Sequence, residues 1–182
     1  MTLLVLWDVD RTLIDAAGVD KQIWLEVCTE LTGLPATRPP STSGGTDPLI
    51  LLAILTATGV GQDRARDLLP RALKRNAELL TQRQDRLREL GRALPGARQA
   101  LQALSAMPGI TQSVVTGNVR PNAELKLATY GLAPYIDFSI GAYGSDDTDR
   151  TRLIMLAQQR ARDSQRWAGS SGDVVVIGDA PR

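Results

Sequence analysis

An apolar run, Leu3 to Trp7, breaks off at two carboxylates, Asp8 and Asp10, with Thr12 close behind. A run of this length bounded by polar residues suits a parallel strand covered on both faces. Two more apolar strands end in a similar way. Ser113-Val114-Val115 runs into Thr116-Gly117-Asn118, and Val174-Val175-Val176-Ile177 into Gly178-Asp179. Residues 15–92 carry helical patterning instead: Val19 to Leu31, Pro48 to Thr58, and Asp63 to about Gly91 in one or two pieces. Asp47 before Pro48 predicts an N-cap followed by proline at the first helical position. The Pro-, Ser-, Thr- and Gly-rich stretch Ala36 to Thr46 predicts a loop. Beyond Leu94 come a helix to about Met107, the Thr116 strand, a helix from Pro121 to Tyr130, a short strand near Ile136–Ile140 and a helix from about Asp149 to Arg166. Strands alternating with helices predict an α/β fold on a parallel sheet, with an all-helical block inserted after the first strand.

Composition narrows the chemistry. The chain has 182 residues, enough for one core domain with a small insertion, and 43% of them are hydrophobic. Lys+Arg 21 against Asp+Glu 20 leaves a net charge of +1, so no global field recruits nucleic acid or an acidic membrane. The one cysteine, Cys28, excludes an internal disulfide and a cysteine-rich zinc site. There is no histidine, so acid–base work falls to carboxylates, lysine or tyrosine. Without a basic leader or a run of ~20 apolar residues, the cytoplasm is the expected location. The basic block from Asp63 to Arg92 reads as a solvated helical face, or else as a surface that attracts an anionic substrate.

In open α/β sheets the ligand crevice lies beyond the carboxyl ends of the strands. Asp8 and Asp10 sit there, and such a pair is costly unless a cation or a shared proton neutralises it. Alone, the pair could equally cap a turn. The ordered set Asp8-x-Asp10, Thr116-Gly117-Asn118 and Gly178-Asp179 resembles the haloacid dehalogenase superfamily, most of whose members are magnesium-dependent phosphohydrolases. The resemblance implies a three-layer Rossmann-like core over residues 1–14 and 93–182, with residues 15–92 as a helical cap. It implies Asp8 as nucleophile and Asp10 as general acid–base, the neighbouring Asp8 charge favouring the protonated form. Mg²⁺ would rest on the Asp8 side chain, the Asp10 carbonyl and the Asp179 side chain, oxygen ligands of the kind it prefers. Thr116 and the N–H groups of Gly117 and Asn118 would hold phosphoryl oxygens. Arg150 is the best-placed cation for the remaining charge, with Arg152 and Lys126 as alternatives. Gly44, Gly45, Thr46 and Asp47 fall where relatives meet the leaving group.

Two positions depart from the family pattern. Arg11 stands where glycine is common, so its side chain must point away from the site or cover it. The pattern also continues past Arg182 with a further aspartate, a helix and an outer strand. Their absence from the sequence would leave Val174–Ile177 as an unpaired apolar edge and suggests a fragment or an impaired product. The expected activity is hydrolysis of a small phosphorylated metabolite by a monomer or homodimer. Carbon–halogen hydrolysis, sugar-phosphate mutase activity and non-catalytic binding are the alternatives. Asp10 argues against the first of these, because a departing halide needs no proton. The Gly144–Asp149 run lacks the spacing of a calcium loop and is expected to cap a helix.

Overall fold

The computed structural model describes residues 2–36 and 44–179. Strand β1 (Leu3–Trp7) is followed by the short β2 (Ile14–Asp15). Helices α1 (Val19–Thr32), α2 (Asp47–Ala57), α3 (Gln62–Gln82) and α4 (Gln84–Leu90) come next, then β3 (Arg92–Ala93). After them run α5 (Ala97–Ser105), β4 (Ile110–Thr116), α6 (Arg120–Thr129), β5 (Ala142–Tyr143), α7 (Arg150–Asp163) and β6 (Val174–Ile177). Of the loop expected over Ala36–Thr46, residues 37–43 lie outside the described residues.

The main sheet has the order β5-β4-β1-β6, and every pairing in it is parallel. The central strand buries both faces, as its unbroken apolar run requires. Val5 and Trp7 pack with Ala97 and Leu101 of α5 and Ala123 and Leu127 of α6. Leu4 and Leu6 face the other way, against Leu153, Ala157 and Ala161 of α7. The result is the expected three-layer α/β core. Among the described residues β6 pairs with β1 alone, and Val175 and Val176 are 41% and 43% exposed.

The strand expected near Ile136–Ile140 does not form. Ala133–Tyr135 makes a 3₁₀ turn around Pro134, and the Asp137 carboxylate accepts the Ser139 N–H at 3.0 Å. That local bond competes with a strand ladder. Ile136 and Ile140 are therefore buried by turns, and the partner of β4 is Ala142–Tyr143.

Helices α1 to α4 share a core of their own, in which Ile23, Val27, Leu51, Leu55, Leu80 and Leu87 are buried. Both connections to the sheet run through a two-stranded antiparallel ribbon, with Ile14 opposite Ala93 and Asp15 opposite Arg92. Part of the basic block on α3 and α4 is paired: Arg66 meets Asp63, Arg75 meets Glu30 and Glu78, Arg83 meets Glu26, and Arg88 meets Asp85.

The start of α2 corrects another expectation. Thr46, not Asp47, is the N-cap, and its side chain makes no capping bond. Asp47 instead reaches across to the amino end of α6. Its Oδ2 accepts the Val119 N–H at 2.9 Å and Asn122 Nδ2 at 3.4 Å, while its own N–H donates to the Gly117 carbonyl at 2.8 Å. The helical layer is thus tied to the loop that follows β4. Burial pushes the Asp47 carboxyl up to about 7, against the pull of the Lys126 charge and the Val119 N–H.

Two predictions follow from these contacts. Asp47 keeps its proton in the folded chain up to about 7, whereas the unfolded chain loses it near 3.8. Unfolding therefore releases a proton within that window, and stability should fall as pH rises through it and level off above. Urea midpoints measured across the window should show this slope, and Asp47→Asn should flatten it. At Gly91 an added Cβ would overlap the Tyr130 hydroxyl and lie 2.5 Å from the Asp15 carbonyl oxygen. Gly91→Ala should cost about 1–3 kcal/mol, read as a melting temperature lower by roughly 2–12 °C.

Candidate active site

The carboxyl ends of β1, β4 and β6 open into one cavity of about 300 Å³, whose wall includes Asp8, Asp10, Thr116, Gly117, Asn118, Arg150 and Asp179. The parallel register puts them there. Trp7 is level with Val114 and Ile177, so the residues that follow each strand emerge side by side.

Asp8 is buried at the end of the central strand. Its Oδ1 accepts the Val9 N–H at 2.8 Å, and Arg150 Nη2 donates to its Oδ2 at 2.7 Å. Desolvation raises the Asp8 carboxyl above its ordinary value, and the Arg150 charge and the Val9 N–H oppose that rise. Arg150 is the first residue of α7, where Asp149 caps the helix by accepting the Thr151 N–H, as expected of the Gly144–Asp149 run. The Arg150 Nε is buried and has no partner among the described residues. This guanidinium thus reaches Asp8 with a donor still to be satisfied. Of the alternative cations, Arg152 is 70% exposed and faces Asp147 and Asp149. Lys126 is fully buried and lies outside the cavity wall.

Asp10 is gripped from behind. Lys126 Nζ lies 3.0 Å from both of its carboxylate oxygens, and Asn118 Nδ2 donates to Oδ2 at 2.7 Å. The Asn118 side chain also donates to Thr116 Oγ1 at 2.8 Å, as does the Asn118 backbone N–H at 3.2 Å. This differs from the expected role of Asn118, whose N–H is directed to its neighbour's hydroxyl rather than outward. Thr116 Oγ1, accepting twice, keeps its own hydrogen for donation. Gly117 must be small here, since a Cβ would strike the Gly45 carbonyl. Gly44, Gly45 and Asp47 line the cavity too, while Thr46 is buried.

Arg11 explains itself at this mouth. It adopts φ 60°, the left-handed conformation that glycine takes freely, at a cost of about 1–2 kcal/mol for a side chain. Its guanidinium projects over the rim, 3.8 Å from Asp179 Oδ2. Arg11, Lys21 and Arg150 are the arginines and lysines of the described cavity wall, and none comes from the block 63–92.

Among the described residues no three His, Cys, Asp or Glu side chains form a metal cage. The expected set needs only two carboxylates, Asp8 and Asp179, with the Asp10 carbonyl. All three residues line the cavity, and Gly178 brings the third strand end so close that a Cβ there would lie 3.4 Å from Asp8 Cβ. Such an oxygen set with room for water fits a hard divalent cation such as Mg²⁺.

Sequence reading missed Asp20, placed Asp47 near the site without its bond to Val119, and took Lys126 as an alternative phosphate-binding cation. Asp20 of α1 lies 2.8 Å from Lys126 Nζ. Burial alone would lower the Lys126 pKa, but the Asp10, Asp20 and Asp47 carboxylates outweigh it, and the ammonium persists. A signal was present: Lys126 shares the buried stripe of α6 with Asn122, Ala123 and Leu127. A lysine on such a stripe requires carboxylate partners.

No curated protein matches this sequence. Solved structures do match in fold. A candidate phosphoglycolate phosphatase from Lactobacillus plantarum is 16% identical, with a TM-score of 0.65 over 99% of this chain and 79% of its own. CbbY from Rhodobacter sphaeroides, solved in complex with phosphate, is 16% identical, with a TM-score of 0.66 over 97% of this chain and 77% of its own. A candidate beta-phosphoglucomutase from Thermotoga maritima is 20% identical, with a TM-score of 0.53 over 97% of this chain and 75% of its own. The profile of the haloacid dehalogenase-like hydrolases spans residues 5–182. With its strand-end residues gathered around one cavity, the chain belongs to the haloacid dehalogenase-like hydrolases.

Proposed function

We propose that the chain is a Mg²⁺-dependent phosphatase that hydrolyses a small phosphorylated metabolite through an aspartyl-phosphate. The observation that carries this reading is the Arg150–Asp8 pair at 2.7 Å in a cavity also lined by Asp10 and Asp179. An ionised carboxylate needs no activating base to act as nucleophile. One Asp8 oxygen attacks phosphorus, and the ester P–O bond breaks as Asp10 gives its proton to the departing alkoxide. A water then attacks the phosphorus, Asp10 takes its proton, and the Asp8–phosphorus bond breaks to release phosphate. Arg150 and the free hydroxyl hydrogen of Thr116 are the donors for the phosphoryl oxygens, with Gly117 keeping the backbone close. Mg²⁺, held by Asp8, Asp179 and the Asp10 carbonyl, would neutralise the charge gathered between carboxylates and phosphate.

Residues 15–92 act in this reading as a cap over the site. Gly18, Lys21, Trp24 and Ile50 contribute its wall, and a cavity of about 300 Å³ suits a small ester. The fit of Asp10 to a leaving oxygen favours a phosphoester over a carbon–halogen bond, and the phosphate bound by the CbbY fold points the same way. Among the described residues no helix is long and apolar enough to cross a membrane.

Hydrolysis of p-nitrophenyl phosphate by the purified chain should require Mg²⁺ and stop in EDTA. Asp8→Asn should lower kcat by at least about 1,000-fold without lowering the melting temperature. Residual activity within tenfold of the parent would reject Asp8 as nucleophile. Arg150→Met should lower kcat/KM by roughly 100-fold or more, the scale of losing a charged donor at the phosphoryl group.

A further inference from the structure

Lys126 sits in α6 with a side chain 1% exposed, behind the cavity wall. Its Nζ meets Asp10 Oδ1 and Oδ2 at 3.0 Å each, Asn118 Oδ1 at 2.7 Å and Asp20 Oδ2 at 2.8 Å. An ammonium has three protons, and oxygens on three side chains take them all, so none remains for a phosphoryl group. What the ammonium does instead is orient its neighbours. By engaging the Asn118 carbonyl oxygen it turns the Asn118 amide nitrogen toward Asp10 Oδ2 and Thr116 Oγ1, at 2.7 and 2.8 Å. By engaging both Asp10 oxygens it fixes the plane of that carboxylate. Asp20, the third partner, belongs to α1 in the helical layer.

We infer that Lys126 is a positioning residue: it holds Asp10 where a proton reaches the leaving oxygen of a phosphoester whose alkoxide cannot depart unaided, and Asp20 anchors that hold in the helical layer. The inference rests on the phosphatase reading and deepens it toward esters with basic, alcohol-like leaving groups. The proton moves from the Asp10 carboxyl to the ester oxygen as the P–O bond breaks and the bond from Asp8 to phosphorus forms. Lys126 itself transfers nothing. p-Nitrophenolate leaves readily without a proton, whereas phenolate is more basic and gains from one. The two esters share the phenyl ring and the phosphate, and the nitro group sets that need.

The test is kcat/KM for p-nitrophenyl phosphate and phenyl phosphate, which reports the step in which the leaving group departs. Lys126→Met keeps the length of the side chain and removes the ammonium. It should lower phenyl phosphate turnover by about 100-fold and p-nitrophenyl phosphate by less than about fivefold, as loss of general acid assistance would. Equal losses for the two esters would overturn the inference. Lys126→Met leaves its carboxylate partners without their cation, so Asp20→Asn, which keeps the acceptor and the volume, serves as a second probe. It should lower phenyl phosphate turnover by about tenfold and p-nitrophenyl phosphate by no more than about twofold. No difference between the esters in a folded Asp20→Asn protein would overturn the inference even if Lys126→Met failed to fold. A parent chain silent toward both esters would overturn the phosphatase reading and this inference with it. An active parent whose variants lose both esters equally would overturn the inference alone.

Discussion

Negative charge crowded at the end of one sheet is the constraint on which this structure turns. Asp8, Asp10, Asp20, Asp47 and Asp179 all line the same small cavity, and Asp8 and Asp47 are buried. Carboxylates at such separations repel one another strongly in a poorly solvated site, and the arrangement persists only where cations answer them. Two that are largely buried do so from opposite sides. Arg150 enters from the first turn of α7 against Asp8, and Lys126 stands behind Asp10 with Asp20 and Asn118. Removing either cation would strand a desolvated carboxylate, a far larger penalty than the net worth of the pair. A divalent cation between Asp8 and Asp179 would complete the same balance.

The loop after β4 is where the two layers meet. Gly117 accepts the N–H of Asp47, Val119 donates to the Asp47 carboxylate, and Asn118 links Asp10 to Thr116. Such contacts require backbones to approach closely. A Cβ on Gly144 would strike the Gly117 carbonyl, just as one on Gly117 would strike that of Gly45. The small residues around Thr116 are therefore a packing requirement, and the loop after β4 takes its shape from the helical layer as well as from its own strand.

Much of this was legible in the sequence. Buried parallel strands announce themselves as apolar runs, and the polar residues that end them lie together because parallel register aligns strand ends. Asp8, Asp10, Thr116, Gly117, Asn118 and Asp179 consequently reach one cavity, and Arg150 joins them from the first turn of α7. Contacts between layers were not legible, because nothing in a local pattern tells Asp47 to leave its own helix and bond Val119. Asp137 shows the same limit on a smaller scale: its side-chain turn replaced a strand that two isoleucines had suggested. Lys126 was visible as a charge on an apolar stripe, but its carboxylate partners, Asp10 and Asp20, lie far back in the chain and only folding brings them to it.

The β2–β3 ribbon has a consequence for how such a molecule changes over evolutionary time. Ile14 and Ala93 are cross-strand partners, so the polypeptide leaves the sheet layer and returns to it at adjoining positions. Everything between them could be exchanged for a longer segment, a shorter one or a plain hairpin turn, with the register of the four parallel strands untouched. Asp8, Asp10 and Asp179 belong to the sheet side of that junction, while Lys21, Trp24 and Ile50 belong to the exchangeable side. The wall of the cavity can therefore vary through a junction two residues wide, provided that the replacement still offers partners like Asp20 to Lys126 and like Asp47 to the loop after β4.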